Sequence, residues 1–178
     1  MTKRAFRSFP FAVLTTALLL GCPSVPPPVA PSPAASVAPS VADQAFIDGM
    51  VPHHEGAVMM ADEALRKATR EELRAFARQV KADQGVEIAQ MKAWRLAWFG
   101  SDKTPPMDHA AHHVSASGAA YDAAWCQAMV AHHEGALTMS ADLLKAAARP
   151  EVRDLAQRII VAQEREIIQL KAWAAAWR

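Results

Sequence analysis

The sequence contains few cysteines, few glycines and little net charge, and each shortage narrows what the protein can be. Its 178 residues include two cysteines and seven glycines, and the formal net charge is +1. A chain this close to neutrality has no strong attraction to nucleic acid or to a charged membrane surface, so we expect no nucleic-acid partner. Scarce glycine, abundant alanine and a composition that is more than half apolar favour a helical domain with a real core.

The N-terminal end is predicted to be an export signal and not part of the fold. A basic start is followed by an apolar run over residues 11–20, which is too short to span a bilayer as a stable anchor. The run continues into LLGC at residues 19–22, which resembles the lipobox of bacterial lipoproteins. We predict a lipoprotein signal peptide over residues 1–21 and a lipidated Cys22, with ordinary secretory cleavage as the alternative. The protein would then be exported to the periplasm or cell envelope and held at a membrane by lipid alone.

The rest of the chain divides into a tether and a duplicated unit. Residues 22–42 are rich in proline, alanine and serine and have no hydrophobic period, which predicts an extended tether. From residue 43 the pattern is helical, and residues 43–99 align with residues 122–178 without a gap. In that alignment 25 of the 57 positions are identical. A repeat of this kind indicates two copies of one supersecondary unit.

Each copy is predicted to be a helical hairpin, because its apolar residues recur at spacings of three and four in two successive stretches. The first hairpin spans residues 43–99, a linker spans residues 100–118, and the second hairpin spans residues 119–178. A hairpin of this length leaves one apolar stripe uncovered. Two hairpins can bury their stripes against each other, so the fold class is all-α, a four-helix bundle.

Three local signals refine the predicted helix ends. Residues 69–72, Thr-Arg-Glu-Glu, read as a capping box that starts the second helix. Pro150 is predicted in the first turn of the fourth helix, where its missing N–H costs nothing. Pro52 is predicted to kink the first helix or restart it before the histidines, because proline removes one helical hydrogen bond.

All seven histidines fall into three clusters, each with a methionine nearby. The clusters are Met50 with His53 and His54, Met129 with His132 and His133, and, in the linker, Met107 with His109, His112 and His113. On a helix both histidines of a pair lie beside the preceding methionine, at i+3 and i+4. Glycine follows each pair, as Gly56 and Gly135, at a cost of about 1 kcal/mol against alanine. Close helix approach, or room beside the histidines, would explain that cost.

The second helix of each hairpin offers partners for these histidines. Gln84 and Glu87 lie in an otherwise apolar stripe, and Gln163 and Glu166 repeat them. Buried polar groups need hydrogen-bond partners, and the histidines are the nearest candidates by pattern. A carboxylate on one ring nitrogen fixes the tautomer and orientation of the imidazole, as it does behind many metal ligands.

This combination of residues predicts a metal site that favours copper. Imidazole suits several metals, whereas thioether sulfur selects Cu(I), so histidine with methionine and no thiolate points to Cu(I) or Cu(II). Zinc is the alternative at the histidines and would not need the methionines. Besides the three clusters, the candidate ligands are Met60, Glu87, Met91, Met139 and Glu166. The three methionines of this list also suit a packing role. For Met91 the repeat supports packing, because the equivalent residue is Leu170.

The repeated motif resembles a known family. Asp-x-x-Phe-x-x-x-Met-x-x-His-His-x-x-Ala, followed by Gln-x-x-Glu-Ile-x-x-Met-x-x-Trp, is similar to the bacterial domain of unknown function 305, which includes copper metallochaperones of the CopM type. The resemblance covers residues 43–178. It implies a ferritin-like four-helix bundle outside the cytoplasm and copper binding by the histidine pairs with Met50 and Met129. The second copy departs from the motif at Trp125, Thr138 and Leu170.

We therefore expect a binding protein and not an enzyme, one that sequesters or shuttles copper by ligand exchange, with a copper-delivery protein as a candidate partner. A ferritin-like di-metal oxidoreductase needs Glu-x-x-His, which none of the predicted helices contains. A structural or interaction bundle without metal is the other alternative. Cys126 is predicted to be a buried, inert thiol, because it replaces Ile47 of the first copy at an apolar position, with Cu(I) affinity as the alternative. Lipidation of Cys22 would leave it no disulfide partner.

Overall fold

The computed structural model describes residues 37–106, 108, 112–146 and 148–177, and these form four α-helices. The helices are α1 (Val41–Lys67), α2 (Glu71–Phe99), α3 (Tyr121–Lys145) and α4 (Pro150–Ala176), with a short 3-10 turn before α3. Helices α1 and α2 form one hairpin, α3 and α4 form the other, and α1 packs against α3. The predicted four-helix bundle of two hairpins is confirmed. No helix in the described residues is long and apolar enough to cross a membrane.

The first helix begins earlier than predicted, at Val41, inside the segment assigned to the tether. Ser40 is its N-cap: the Asp43 backbone N–H donates to Ser40 Oγ, and the Ser40 N–H donates back to the Asp43 carboxylate. This capping box satisfies two backbone donors and accounts for the start point. The predicted signal peptide, Cys22 and residues up to 36 lie outside the described residues, so they remain predictions.

The capping box predicted at residues 69–72 is wrong, because the start of α2 is capped from the other hairpin. Arg70 is the N-cap residue and its own side chain caps nothing. Instead, Asp122 accepts hydrogen bonds from the backbone N–H of Thr69 at 3.0 Å and of Arg70 at 2.9 Å, and from Thr69 Oγ1 at 2.7 Å. The buried carboxylate also complements the positive end of the helix dipole.

The repeat of this aspartate makes the capping reciprocal. Asp43, at the start of α1, accepts from the backbone N–H of Arg149 at 2.9 Å, and Arg149 is the N-cap residue of α4. Each hairpin therefore begins with an aspartate that caps the second helix of the other hairpin. Asp43 and Asp122 are both buried, so these ties belong to the core.

Two apolar clusters fill the bundle. One includes Leu73, Trp125 and Leu170, and the other includes Ile47 and Leu155. At the ends of the bundle the paired tryptophans stack with ring centroids 5.4 Å and 4.9 Å apart, and each pair has an arginine over one ring. Helix α1 runs through Pro52 without restarting, and Pro150 opens α4 as predicted.

Candidate metal centre

The two histidine pairs face each other across the contact between α1 and α3. The rings of His53 and His132 lie 3.8 Å apart by centroid, and each is 6.3–6.4 Å from its neighbour in sequence, His54 or His133. The four imidazoles therefore form a row that crosses from one hairpin to the other. The linker adds His112, whose ring centroid is 5.2 Å from that of His132. The two motif copies thus build one shared histidine cluster.

Every histidine in the row has a buried nitrogen without a hydrogen-bond partner among the described residues. Nδ1 is such an atom in all four rings, and His132 and His133 lack a hydrogen-bond partner at Nε2 as well. A buried polar atom left unpaired costs about 1–3 kcal/mol. An imidazole lone pair binds a metal ion or accepts a water proton, so either partner would satisfy these nitrogens.

Burial keeps the two central rings uncharged. Desolvation is the largest cause that lowers the pKa of His53 to about 3, and repulsion from His54 adds to it. Desolvation, then repulsion from His53, lowers the pKa of His132 to about 2. Both rings are therefore neutral at pH 7, which is the form that binds metal.

Carboxylates on α2 and α4 hold the outer two rings. His54 Nε2 is 2.8 Å from the Glu87 carboxylate in a hydrogen bond, and both ends of the pair are in the positions that the pattern predicts. His133 Nε2 is 2.7 Å from Glu166, but the atoms are not aligned as a hydrogen bond. Both histidines are fully buried. In the first pair an Nε2–H donated to the carboxylate leaves the lone pair on Nδ1.

The methionines are placed mainly in the apolar core. Met50 and Met129 are fully buried, one in each apolar cluster, and Met60 is almost fully buried. Met91 and its counterpart Leu170 are both fully buried, which agrees with a packing role. Met139 is partly buried and lies beside Gly49. The ligand roles of these five methionines and of Glu87 and Glu166 remain predictions, and Met107 and His109 lie outside the described residues.

The glycines that follow the two histidine pairs make room for histidine rings. A Cβ at Gly135 would lie 2.9 Å from His53 Nε2, and a Cβ at Gly56 would lie 2.4 Å from two atoms of the His112 ring. Real Cβ atoms do not approach other atoms this closely, so any larger residue at either position would force the histidine ring to move. The two equivalent glycines face different rings. Gly135 faces the His53 ring from α1, whereas Gly56 faces the His112 ring from the linker.

Glu63 is a residue that the sequence pattern did not identify. Its carboxylate is buried, accepts from the Val114 backbone N–H at 3.3 Å and from Lys67 at 2.5 Å, and lies 3.1 Å from His113 Nδ1. Burial raises its pKa, but the hydrogen bonds from Lys67 and Val114 outweigh burial and leave the pKa below its ordinary value. A signal was available, because Glu63 lies two helical turns from Gly56 on the same face of α1.

The cluster is not a preformed metal cage. Among the residues that the structure describes, no group of three or more His, Cys, Asp or Glu side chains is arranged to hold a metal ion. Nitrogens on opposite sides of one ion stand about 4 Å apart, twice the usual metal–nitrogen distance. The rings of His53 and His132 are tilted by 41° with their centroids only 3.8 Å apart, so they would have to separate to place an ion between them. Ion binding at this cluster therefore requires side-chain movement, a thioether ligand, or both.

The described cysteine, Cys126, does not present a thiolate. Cys126 is fully buried, and burial, aided by the Asp122 carboxylate, raises the pKa of its thiol to about 12. The thiol is protonated and inaccessible, as the sequence predicts. Soft ligation at the cluster would therefore come from methionine sulfur.

Both halves of the chain match one protein family. The sequence pattern of the domain of unknown function DUF305 matches residues 43–115 and again residues 107–174. The chain belongs to the DUF305 family. The double match agrees with the internal repeat, since each match contains one histidine pair and its capping aspartate.

Solved structures of CopM are similar to this DUF305 protein. CopM in its Cu(I)-bound form is 37% identical over 76% of this chain and 96% of CopM, with a TM-score of 0.67. The Cu(II)-bound form is 38% identical over 76% of this chain and 98% of CopM, with a TM-score of 0.66. A Streptomyces coelicolor DUF305 protein described as secreted has the same fold, with a TM-score of 0.70 at 24% identity over 76% of this chain and 92% of that one. Among curated proteins, none matches this chain.

Proposed function

We propose that this DUF305 protein is an exported copper-binding protein that sequesters copper, or passes it on, through the histidines shared by its two hairpins. The observation that carries the proposal is the meeting of His53 and His132 at the hairpin interface. Both rings are neutral and partly buried, and both present buried nitrogens without partners among the described residues. A metal ion bound there would satisfy these atoms.

Copper is favoured over zinc because a methionine precedes each histidine pair. Met50 and Met129 stand one helical turn before the histidine pairs, and thioether sulfur favours Cu(I) over harder ions. Structures of the relative CopM hold Cu(I), Cu(II) and silver. Silver is a soft ion, which supports soft ligation in that relative and, by similarity, here.

The proposed mechanism is ligand exchange without catalysis. His54 keeps its orientation through the hydrogen bond to Glu87, and His133 stays in contact with Glu166, while the central rings separate to admit the ion. A cluster that must open to bind releases its cargo more readily than a rigid cage does. This suits a protein that hands copper to a partner or stores it reversibly.

The proposed location is the cell envelope. It rests on the lipobox-like LLGC at residues 19–22, on the tether that follows, and on the secreted description of the Streptomyces relative. Lipid at Cys22 would hold the bundle near a membrane while the bundle stays in water. Labelling with a radioactive fatty acid in the native host, with Cys22→Ala as control, tests this part of the proposal.

The test of copper binding is an anaerobic Cu(I) titration of the chain from Pro23 onward against a competing chelator, with Cu(II) and Zn(II) in parallel. The decisive variant is His53→Ala/His132→Ala, which removes the central pair. The matched variant His54→Ala/His133→Ala removes the outer pair.

We expect tight Cu(I) binding that the central double variant weakens most. Binding that neither double variant changes would move the site to the linker histidines. Tighter binding of Zn(II) than of Cu(I) would refute copper as the cargo. Affinity for every ion weaker than about 10 μM, which corresponds to about 7 kcal/mol, would refute the proposed function and leave a structural bundle.

A further inference from the structure

The two halves of the repeat differ in burial at one pair of equivalent acidic positions, Glu63 in α1 and Asp142 in α3. The Glu63 side chain is 6% exposed, whereas the Asp142 side chain is 66% exposed and pairs only with Lys145 among the described residues. The cause of the difference is the linker. It runs over the face of α1 that carries Glu63 and buries Val114 in the apolar core.

The linker is attached to this face at two points. At the first point, Glu63 accepts a hydrogen bond from the Val114 backbone N–H and lies against His113. At the second, two residues earlier in the linker, the His112 ring occupies the notch at Gly56 and lies beside His132. His112 Nδ1 is 2.6 Å from the carbonyl oxygen of Asp108, so an Nδ1–H donated to that oxygen leaves the lone pair on Nε2.

The repeat would place His132 at Gly56, by analogy with His53 at Gly135. His112 occupies that notch instead. The pseudo-symmetry of the histidine row is therefore broken on one side only, and it is broken by a residue that belongs to neither hairpin.

We propose that Glu63 is a positioning residue of the copper site, which docks the linker so that His112 supplies a further imidazole to the shared histidine row. The proposal rests on the proposed copper function and deepens it. Glu63 acts through the linker and does not touch the ion. The site then has one three-ring side, formed by His53, His132 and His112, and one ion per chain is expected there.

A surface pocket supports this placement. It has a volume of about 380 Å³ and is lined by Met59, Glu63 and the two linker histidines, together with Arg66 and Lys67. The pocket brings solvent to the seam between the linker and α1. An ion that arrives along this seam meets His113 and His112 before it reaches His132.

The experiment compares Glu63→Ala and Glu63→Gln with Asp142→Ala, the matched change at the exposed equivalent position. Two readouts are taken on the chain from Pro23 onward. Hydrogen exchange of the Val114 amide in the copper-free protein reports linker docking. Cu(I) affinity and the number of imidazoles per copper from X-ray absorption report the site.

We expect Glu63→Ala to accelerate exchange at Val114 at least about tenfold, to lower Cu(I) affinity about 10- to 100-fold, and to remove one imidazole from the copper. Glu63→Gln keeps an acceptor for Val114 and should fall between the wild type and Glu63→Ala. Asp142→Ala should match the wild type in both readouts. His112→Ala should lose as much affinity as Glu63→Ala, and the double variant should lose no more, because both changes remove one contribution.

Three results would overturn the proposal: unchanged Val114 exchange in Glu63→Ala, an unchanged imidazole count, or additive losses in the double variant. Failure of the wild type to bind copper, with Val114 exchange still accelerated by Glu63→Ala, would overturn the proposed function and its copper site but not the docking of the linker. The two failures are therefore distinguishable. Circular dichroism checks that each variant is folded. If Glu63→Ala does not fold, the same two readouts on Glu63→Gln test the proposal.

Discussion

Three glycine-to-alanine substitutions separate helix propensity from the space that the histidine rings require. Gly85 lies inside α2, and an alanine methyl group at this position would have no neighbouring atom within 4 Å, so it is the matched control. Gly135 and Gly56 lie inside α3 and α1, where the same methyl group would meet His53 and His112. All three changes remove the same backbone entropy from the unfolded chain.

The expected magnitudes follow from these surroundings. Gly85→Ala should stabilise the protein by about 0.5–1 kcal/mol, or about 1–4 °C in Tm. At Gly135 the methyl group would stand 2.9 Å from His53 Nε2, and that ring is already packed against His132. A forced ring rotation costs about 0.5–1.5 kcal/mol, which cancels the gain. At Gly56 the methyl group displaces the linker ring, so part of the gain should survive.

The assay is thermal unfolding of the copper-free protein combined with the Cu(I) competition titration. Gly85→Ala should raise Tm and leave copper affinity unchanged. Gly135→Ala should leave Tm near the wild-type value and lower affinity about tenfold or more, since it displaces a central ring. Equal stabilisation by all three substitutions, with unchanged copper affinity, would refute the argument that these glycines exist to seat imidazoles.

Further predictions concern pH, capping and the thiol. The pKa values of His53 and His132 lie below the unfolded value near 6.5, so the unfolded chain binds more protons as the pH falls from about 6.5 towards 3. Urea unfolding of the copper-free protein should therefore show stability that is full above pH 6.5 and declines below it, by at most about 1.4 kcal/mol per pH unit for each ring; a flat profile would contradict neutral buried rings. Asp122→Ala should cost about 1–2 kcal/mol in the same assay at pH 7 because it uncaps α2, whereas Asp142→Ala should stay within about 0.5 kcal/mol of the wild type. Iodoacetamide at pH 8 should leave Cys126 unmodified in the folded protein and modify it in urea, as mass spectrometry would show; rapid native labelling would contradict its burial.

Features that repeat along the chain were predictable, because the repeat constrains them twice. The two hairpins and the pairing of His54 with Glu87 follow from apolar spacing and from the need to satisfy buried polar groups. Pro150, which has no counterpart in the first copy, was predictable from its missing N–H alone. The meeting of His53 with His132 was open, since sequence alone does not state whether the copies share a site or keep two.

Features created by contacts between distant segments were not predictable from local rules. The capping box expected at residues 69–72 failed because the Asp122 carboxylate, 53 positions away from Thr69, reaches the same backbone donors. The spacing places Glu63 on the same face of α1 as Gly56, but its burial could not be predicted, because it depends on the path of the linker. That path has no hydrophobic period that could have revealed it.

The reciprocal aspartates also bear on how such a protein could arise. A single hairpin cut from this chain would keep its aspartate but would lose the cap on its second helix, which the other hairpin supplies. Two copies of that hairpin, related by a twofold axis, would supply each other's caps and bring their histidine pairs together. The fused chain has the form of such a homodimer made covalent. Joining the copies adds the linker, which is present only once. Contact with the linker then makes the two halves of the twofold arrangement unequal.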